Sequence, residues 1–460
     1  MSDDTTTQCF LFPDIFAKPV VAQFDQQNGT SDGGAFLLKA ADKTYDRLTA
    51  RLAACMQDGR QAAKVDHSLQ NLVAQRVFGI ACGYPDANDA ARLTGDPMHK
   101  LLLDRDPIHG LDLASQSTLS RFENACGPKE LYRMGEALAD SVLQRHARRL
   151  RGRVRQVTID LDPTDDPTHG AQQLSFFNGH YDTWCYLPVV GFVRFNDEAE
   201  QYLFTAVLRP GNAPAVVGAI GILRRVLQLI YSYFPKARIL VRLDGGFAHP
   251  KLLDFLDLQR KVDYVVAMAK NAVLKRKVKP AMRQAHRLSR QSGNTEHVYD
   301  ETYYAAGKWP RPRRVIIKAE MVRQEGKKPK DNPRFVITNL KQSPQWIYEQ
   351  VYCGRGDIEN RIKELHEGLQ IDRTSCSRFW ANQLRVLLTA AAYVLMQELR
   401  LRAVRTDCAR AQVWMLRERL LKLGAHVVAS VRRVVVHLPT SFPFLPTFRK
   451  VAFALGALSH

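Results

Sequence analysis

The chain has 460 residues, 45% of them hydrophobic, and carries 66 Lys and Arg against 46 Asp and Glu, a formal charge of +20. Such a length accommodates roughly two to four domains of about 100–200 residues each. A balance so basic points to a polyanionic partner, nucleic acid first.

The eight cysteines stand singly, with no C-x-x-C pair, which excludes a zinc ribbon or dithiol centre and fits reduced thiols in a cytoplasmic protein. The leading segment MSDDTTTQCFLFPDIF is acidic and lacks an apolar signal core. Residues 1–30 read as a loosely ordered or strand-like lead. From Ser31 to about Arg149 the pattern is helical. Leu69, Leu72, Val73, Val77 and Ile80 recur at 3- and 4-residue steps, predicting one helix face up to Gly83. The segment SQSTLSRFENAC (115–126) offers Ser and Thr caps and a short helix, either the reading half of a helix-turn-helix or a packing helix.

Near Arg151 the period changes. Segments 153–162, 183–195, 201–208 and 238–244 read as strands, with Ala215–Phe234 as a helix between them. This predicts a mixed α/β sheet with an antiparallel beginning. Residues 261–345 alternate β-rich runs with the very basic LKRKVK and QEGKKPKDNPR, and read as a β-rich insertion. Lys275, Arg276, Lys277, Arg311, Arg313, Arg314, Lys327 and Lys328 are candidate phosphate contacts there. Helix returns from about Pro344 to Arg405, and 431–438 reads as a last strand. The apolar run Val386–Met396 has 11 residues, too short to cross a bilayer, and predicts a buried helix.

Three acids stand out chemically. In VTIDLD the alternation puts Thr158, Asp160 and Asp162 on one face of a strand. Asp244 ends a second strand, ILVRLD, before Gly245 and Gly246. Glu359 lies in a helical run with Arg355 and Lys363 one turn to either side. Two strand carboxylates and one helix carboxylate make a hard-oxygen set suited to two Mg²⁺ or Mn²⁺ ions and to phosphoryl transfer. Taken singly, each acid reads as readily as a turn former or a solvated ion pair.

The spacing from Tyr352 through Arg355 to Glu359 resembles the Y-(2)-R-(3)-E-(6)-K signature of one branch of the DDE transposases of bacterial insertion sequences. SDGGAFLL, QRVFGIACGYPDANDAARL, STLSRFEN, LDPTDDPTHG, RLDGGFA and IENRIKELHEGLQIDRTSC resemble segments of that group in the same order. The resemblance implies an RNase H-like catalytic core over 151–260 and 346–405, interrupted by the 261–345 insertion. A DNA-binding helical region over 1–150 precedes it and a C-terminal region over 406–460 follows. It implies Asp162, Asp244 and Glu359 as catalytic and metal-binding residues, with Asp160 a rival for the first place. Tyr352 and Arg355 would meet the DNA backbone. The signature's closing Lys falls on His366, and Lys363, one turn earlier, is its candidate replacement.

The resemblance further implies double-stranded DNA partners (terminal inverted repeats and target), a homodimer in the paired-end complex, and no membrane partner. Two rivals stay open: a nuclease of the same fold without joining activity, and an end-binding repressor that has lost catalysis.

Overall fold

The computed structural model describes residues 9–307 and 309–459, so the first eight residues of the acidic lead lie outside the described residues. The fold is organised by one mixed sheet. Across it run Tyr202–Val207, Val189–Phe195, Gln156–Pro163, Arg238–Leu243, Val262–Met268, Arg334–Thr338, Arg313–Val322 and Glu296–Tyr304. The first two pairings are antiparallel. The three central strands, starting at Gln156, Arg238 and Val262, are mutually parallel. Beyond Val262–Met268 every pairing is antiparallel again.

The central strands are rich in Val, Ile and Leu because both of their faces are covered. Val157, Ile159, Leu161, Ile239, Val241, Leu243 and Val266 are all fully buried. The basic 261–345 segment therefore does not form a sheet of its own; its strands hydrogen-bond onto the edge that Val262–Met268 presents. Its most basic stretch holds two helices, Ala272–Lys277 and Lys279–Ser292, where only charged connections were expected. The second buries Ala281, Met282, Ala285 and Ser289 against the sheet. Small buried residues between arginines carry a weak hydrophobic signal, so the helical period is hard to see in the sequence.

The apolar run expected to be a buried helix lies in Phe379–Arg402, which is buried along nearly its whole length. Leu69–Ala81, Gln116–Ala125 and Pro128–Leu150 all pack on it, so the N-terminal helices share one core with the sheet. Leu69–Ala81 begins where the spacing predicts, with the Ser68 side chain accepting from the Asn71 amide. Two amides of the core helix also close the outer edge of the sheet. Gln397 Oε1 accepts from Leu203 N at 3.1 Å and Gln383 Oε1 from Leu208 N at 2.7 Å. Covering an edge in this way removes a template for strand addition.

The SDGG segment is structural. Gly33 and Gly34 donate to Leu423 O and Leu421 O, and a Cβ on Gly34 would lie 1.8 Å from Leu420 O. The segment 115–126 forms the helix Gln116–Ala125. It buries Leu119 and Phe122 and pairs Glu123 with Arg76 at 2.8 Å, leaving Gln116, Ser117 and Arg121 on the solvent side. No helix among the described residues is long and apolar enough to cross a membrane.

Candidate active site

Parallel pairing in register puts the C-terminal ends of the Asp162 and Asp244 strands side by side. Asp162 lies at the end of Gln156–Pro163 with its side chain 13% exposed. Asp244 follows Arg238–Leu243 directly, and its Oδ1 accepts from the Gly246 amide at 3.0 Å. That turn explains the second of the paired glycines: Gly246 lies against Ala215, where a Cβ would approach to 2.8 Å.

The third acid comes from a helical run of uneven winding. It opens at Pro344 under a Ser343 cap, passes through π turns over Ile347–Tyr352 and a tight 3₁₀ turn over Cys353–Gly356, and becomes α-helical over Asp357–Lys363. A second π segment, Glu364–Gly368, closes it. Departures from α winding have local causes and are common at functional sites. Here the tight turn contains Gly354, whose Cα faces the Arg242 guanidinium so closely that a Cβ would lie 2.6 Å from Nη1.

The winding divides the Y-R-E residues by environment. Arg355 is turned inward and its Nη2 donates to Asp162 Oδ1 at 2.5 Å, while its Nε is buried with no partner. Tyr352 is half-buried against Tyr348, and Glu359 is exposed. Among the described residues Glu359 makes no hydrogen bond or ion pair with protein. Lys363 is exposed and loosely paired with Glu367 at 3.5 Å. His366 is held from both sides: Nε2 lies 2.9 Å from Thr164 Oγ1 and Nδ1 3.3 Å from Asp372.

Asp162, Glu359, Lys363 and His366 meet in an open cleft of about 410 Å³, lined also by Thr164, Asp165, Tyr181 and Asp372; Asp244, Tyr352 and Arg355 are not among its lining residues. Burial pushes the Asp162 carboxyl up to about 7; Arg355 pulls against that rise, and Asp244, Glu359 and Asp160 add to it. The Tyr181 hydroxyl is likewise pushed up to about 12, by burial and then by Asp165, Asp162 and Asp244. Burial also raises Tyr352; Arg355 opposes the rise and Asp244 reinforces it. Asp244 and Glu359 thus both act on Asp162, across a sequence span of almost 200 residues. A larger cavity, about 680 Å³ between Pro128–Leu150 and Ala219–Tyr233, is mostly apolar and none of the three acids lines it. Convergent charge, rather than volume, marks the chemical site.

Asp160 is placed differently from its rival. Its two oxygens accept from Arg242 Nε at 2.7 Å and Nη2 at 2.6 Å, and Gln201 Nε2 adds a third bond at 2.7 Å. It is 1% exposed and does not line the cleft. Neither Arg242 nor Gln201 stood out in the sequence, although Arg242 sits two residues before Asp244 as Asp160 sits two before Asp162. Three of the expected phosphate contacts are also structural. Arg313 is buried on Asp254 and Asp257, Arg311 pairs with Asp257, and Arg314 pairs with Glu301. Among the described residues, the group whose ligand-type atoms lie within 4.8 Å of one another is a different one, the buried Asp32, Cys82 and His99. Lys422 Nζ stands 2.7 Å from Asp32 and supplies the positive charge there.

The sequence model of the family "Transposase DDE domain group 1" matches residues 12–460. The chain belongs to that family. It is a metal-dependent DNA transposase. No curated protein sequence matches this transposase. Among solved structures it is similar to the cryo-EM structure of a piggyBac transposase synaptic complex with hairpin DNA. The two share 10% identity and a TM-score of 0.40, over 85% of this chain and 80% of that one. A likeness at that level bears on neither the fold nor the chemistry.

DDE transposases use divalent metal ions, and the transposase's cleft suits one. Its donors are hard carboxylate oxygens. Burial first, with Asp244 and Glu359 adding against the pull of Arg355, raises the Asp162 carboxyl to about 7, and a divalent cation bound there would favour its ionised form.

Proposed function

We propose that this transposase serves a bacterial insertion sequence of the Y-R-E-K group and moves it by cutting and pasting. It binds the terminal inverted repeats through the helical region 1–150, cleaves DNA at the element ends and joins each 3′-OH to target DNA. The working assembly is a homodimer holding two ends, acting in the cytoplasm. The observation that carries the reading is that Asp162 and Glu359 line one cleft, with Asp244 at the end of the adjacent parallel strand and acting on Asp162, in a chain of charge +20. Two acids at the ends of adjacent parallel strands in a mixed sheet support an RNase H-like core.

Two Mg²⁺ (or Mn²⁺) ions held by Asp162, Asp244 and Glu359 would supply Lewis acidity to the attacking and leaving oxygens. The chain's own cations position the phosphate. Arg355 Nε, buried and unpartnered, is a ready donor beside Asp162. Lys363 and His366 line the cleft of Asp162 and Glu359, and Tyr352 feels the charge of Asp244. Thr164 and Asp372 engage both ring nitrogens of His366, so the exposed Lys363 ammonium is the donor that takes the place of the signature's Lys. Asp160 is outside this metal set, since its oxygens are already taken up by Arg242 and Gln201.

The test is direct. The purified protein is mixed with a duplex bearing the element's end, a target plasmid and Mg²⁺ or Mn²⁺. Metal-dependent joined product is expected. Cleavage without joining would assign a nuclease instead, and specific end binding without cleavage a repressor.

The path of the duplex is suggested by charge. Between Asp263 and Glu296 there is no acidic residue, while Lys270, Lys275, Arg276, Lys277, Lys279, Arg283, Arg287 and Arg290 all fall there. Arg283, Arg287 and Arg290 share one exposed face of Lys279–Ser292 and pair with no carboxylate among the described residues. The stretch starts where Val262–Met268 ends, at the same end of the sheet as Asp162 and Asp244. Changing the three arginines to Ala is expected to weaken end-bearing and unrelated duplexes equally. The slope of log K against log salt should fall by about 3, near 0.9 for each phosphate contact. An unchanged slope would remove this face from the DNA path.

A further inference from the structure

The three acids sit on three separate elements, and one buried guanidinium touches or carries all of them. Arg242 is the parallel-strand partner of Asp160. Each lies two residues before one of the three acids on the same strand face, Arg242 before Asp244 and Asp160 before Asp162. Both side chains are sealed from solvent, at 0% and 1% exposure. The pair is bidentate, a geometry that fixes direction as well as distance. Gln201, from beside the outermost antiparallel strand, adds the third bond to Asp160.

The remaining nitrogen of the fork faces the helix. Arg242 Nη1 donates to Val351 O at 3.3 Å and lies under Gly354, where only a residue without Cβ fits. Val351 and Gly354 precede Arg355 and Glu359 in the same helical run. One side chain therefore links the Asp162 strand, its own Asp244 strand and the Glu359 helix. A buried ion pair is a poor source of net stability, because desolvation offsets most of its attraction. The parallel ladder already holds the two strands together. What the ladder cannot set is the rotation and height of the distorted helix over the strand ends.

We propose that Asp160 and Arg242 are a positioning pair that sets the spacing of Asp162, Asp244 and Glu359 for metal binding, with Gly354 the seat that admits the guanidinium to the helix. The inference rests on the reading of those three acids as the metal site. Asp160 and Arg242 act through the acids and touch neither metal nor DNA.

The full-length protein carrying Asp160→Leu with Arg242→Met removes the pair while filling its space with apolar atoms. Thermal melting, affinity for the end duplex, and Mn²⁺ binding followed by titration calorimetry would be compared with wild type. A folded double variant with duplex affinity within about twofold of wild type, at least tenfold weaker Mn²⁺ binding and at least 100-fold slower joining is expected. A folded variant with wild-type Mn²⁺ affinity and joining would overturn the proposal. Should the double variant not fold, Arg242→Lys keeps the charge and loses the fork, and the same two readings decide. Asp162→Asn, run alongside, separates the failures. If it leaves Mn²⁺ binding intact, the metal-site reading has failed. If it abolishes binding that the pair variant retains, only the positioning role has failed.

Discussion

Glu359→Gln is expected to abolish joining, by about 1,000-fold or more, while leaving the protein as stable as wild type. The two halves of that expectation come from different observations. Glu359 is exposed and bonds to no protein group, so the isosteric amide breaks nothing in the fold. Surface changes of that kind stay within about 0.5 kcal/mol. The loss in rate reflects charge. A loss of about 1,000-fold corresponds to roughly 4 kcal/mol of transition-state stabilisation, the scale expected when a ligand carboxylate becomes neutral. Cleavage and joining should fall together, because both draw on the same three acids, while affinity for the end duplex changes by less than about twofold. Joining that persists above a tenth of the wild-type rate would remove Glu359 from the metal site.

Asp162→Asn is expected to stabilise the metal-free protein most at pH 8, less at pH 5, and not at all below about pH 4. Burial first, then Asp244, Glu359 and Asp160, raise the Asp162 carboxyl to about 7 against the pull of Arg355. Its ordinary value is 3.8, so between about 4 and about 7 the folded chain holds a proton that the unfolded chain releases. Linkage then makes stability fall as pH rises through that window. Asn resembles the protonated form at every pH, so the variant's melting temperature should lack that fall and exceed wild type by a few degrees at pH 8. In wild type, a divalent ion that needs the ionised carboxylate should bind about tenfold more weakly for each unit below 7 and release a proton on binding. Melting curves and calorimetry from pH 5 to 8 measure both effects. A variant that melts below wild type at pH 8 would show that Asp162 serves mainly as the partner of Arg355.

The two expectations describe a site that is costly while empty. Stability is given up where ionised groups are crowded, and binding of the metal returns it. Arg355 moderates that cost. Its guanidinium bonds to Asp162, and its Nε is buried without a partner.

Much of this was readable from the chain alone, wherever a local period carries the information. Alternation in VTIDLD puts Asp160 and Asp162 on one face, and the strands at Gln156–Pro163 and Arg238–Leu243 form where β-branched and aliphatic residues concentrate. The 3- and 4-residue steps of Leu69–Ala81 find a real helix with its Ser68 cap. The net charge of +20 points to a polyanion without any fold. Tertiary structure alone decided the rest. Asp160 and Asp162 are equivalent by spacing, and differ only because Arg242 and Gln201 come from distant segments to enclose one of them. Arg313 reads as a solvent-facing cation until Asp254 and Asp257 meet it from a helix more than 50 residues away. Gly354 reads as a flexible turn until the Arg242 fork lies beneath it. Local period reports which face a side chain takes; what waits on that face is set by chain segments brought together only in the fold, and in a buried site it is those partners that determine which carboxylate stays free to act.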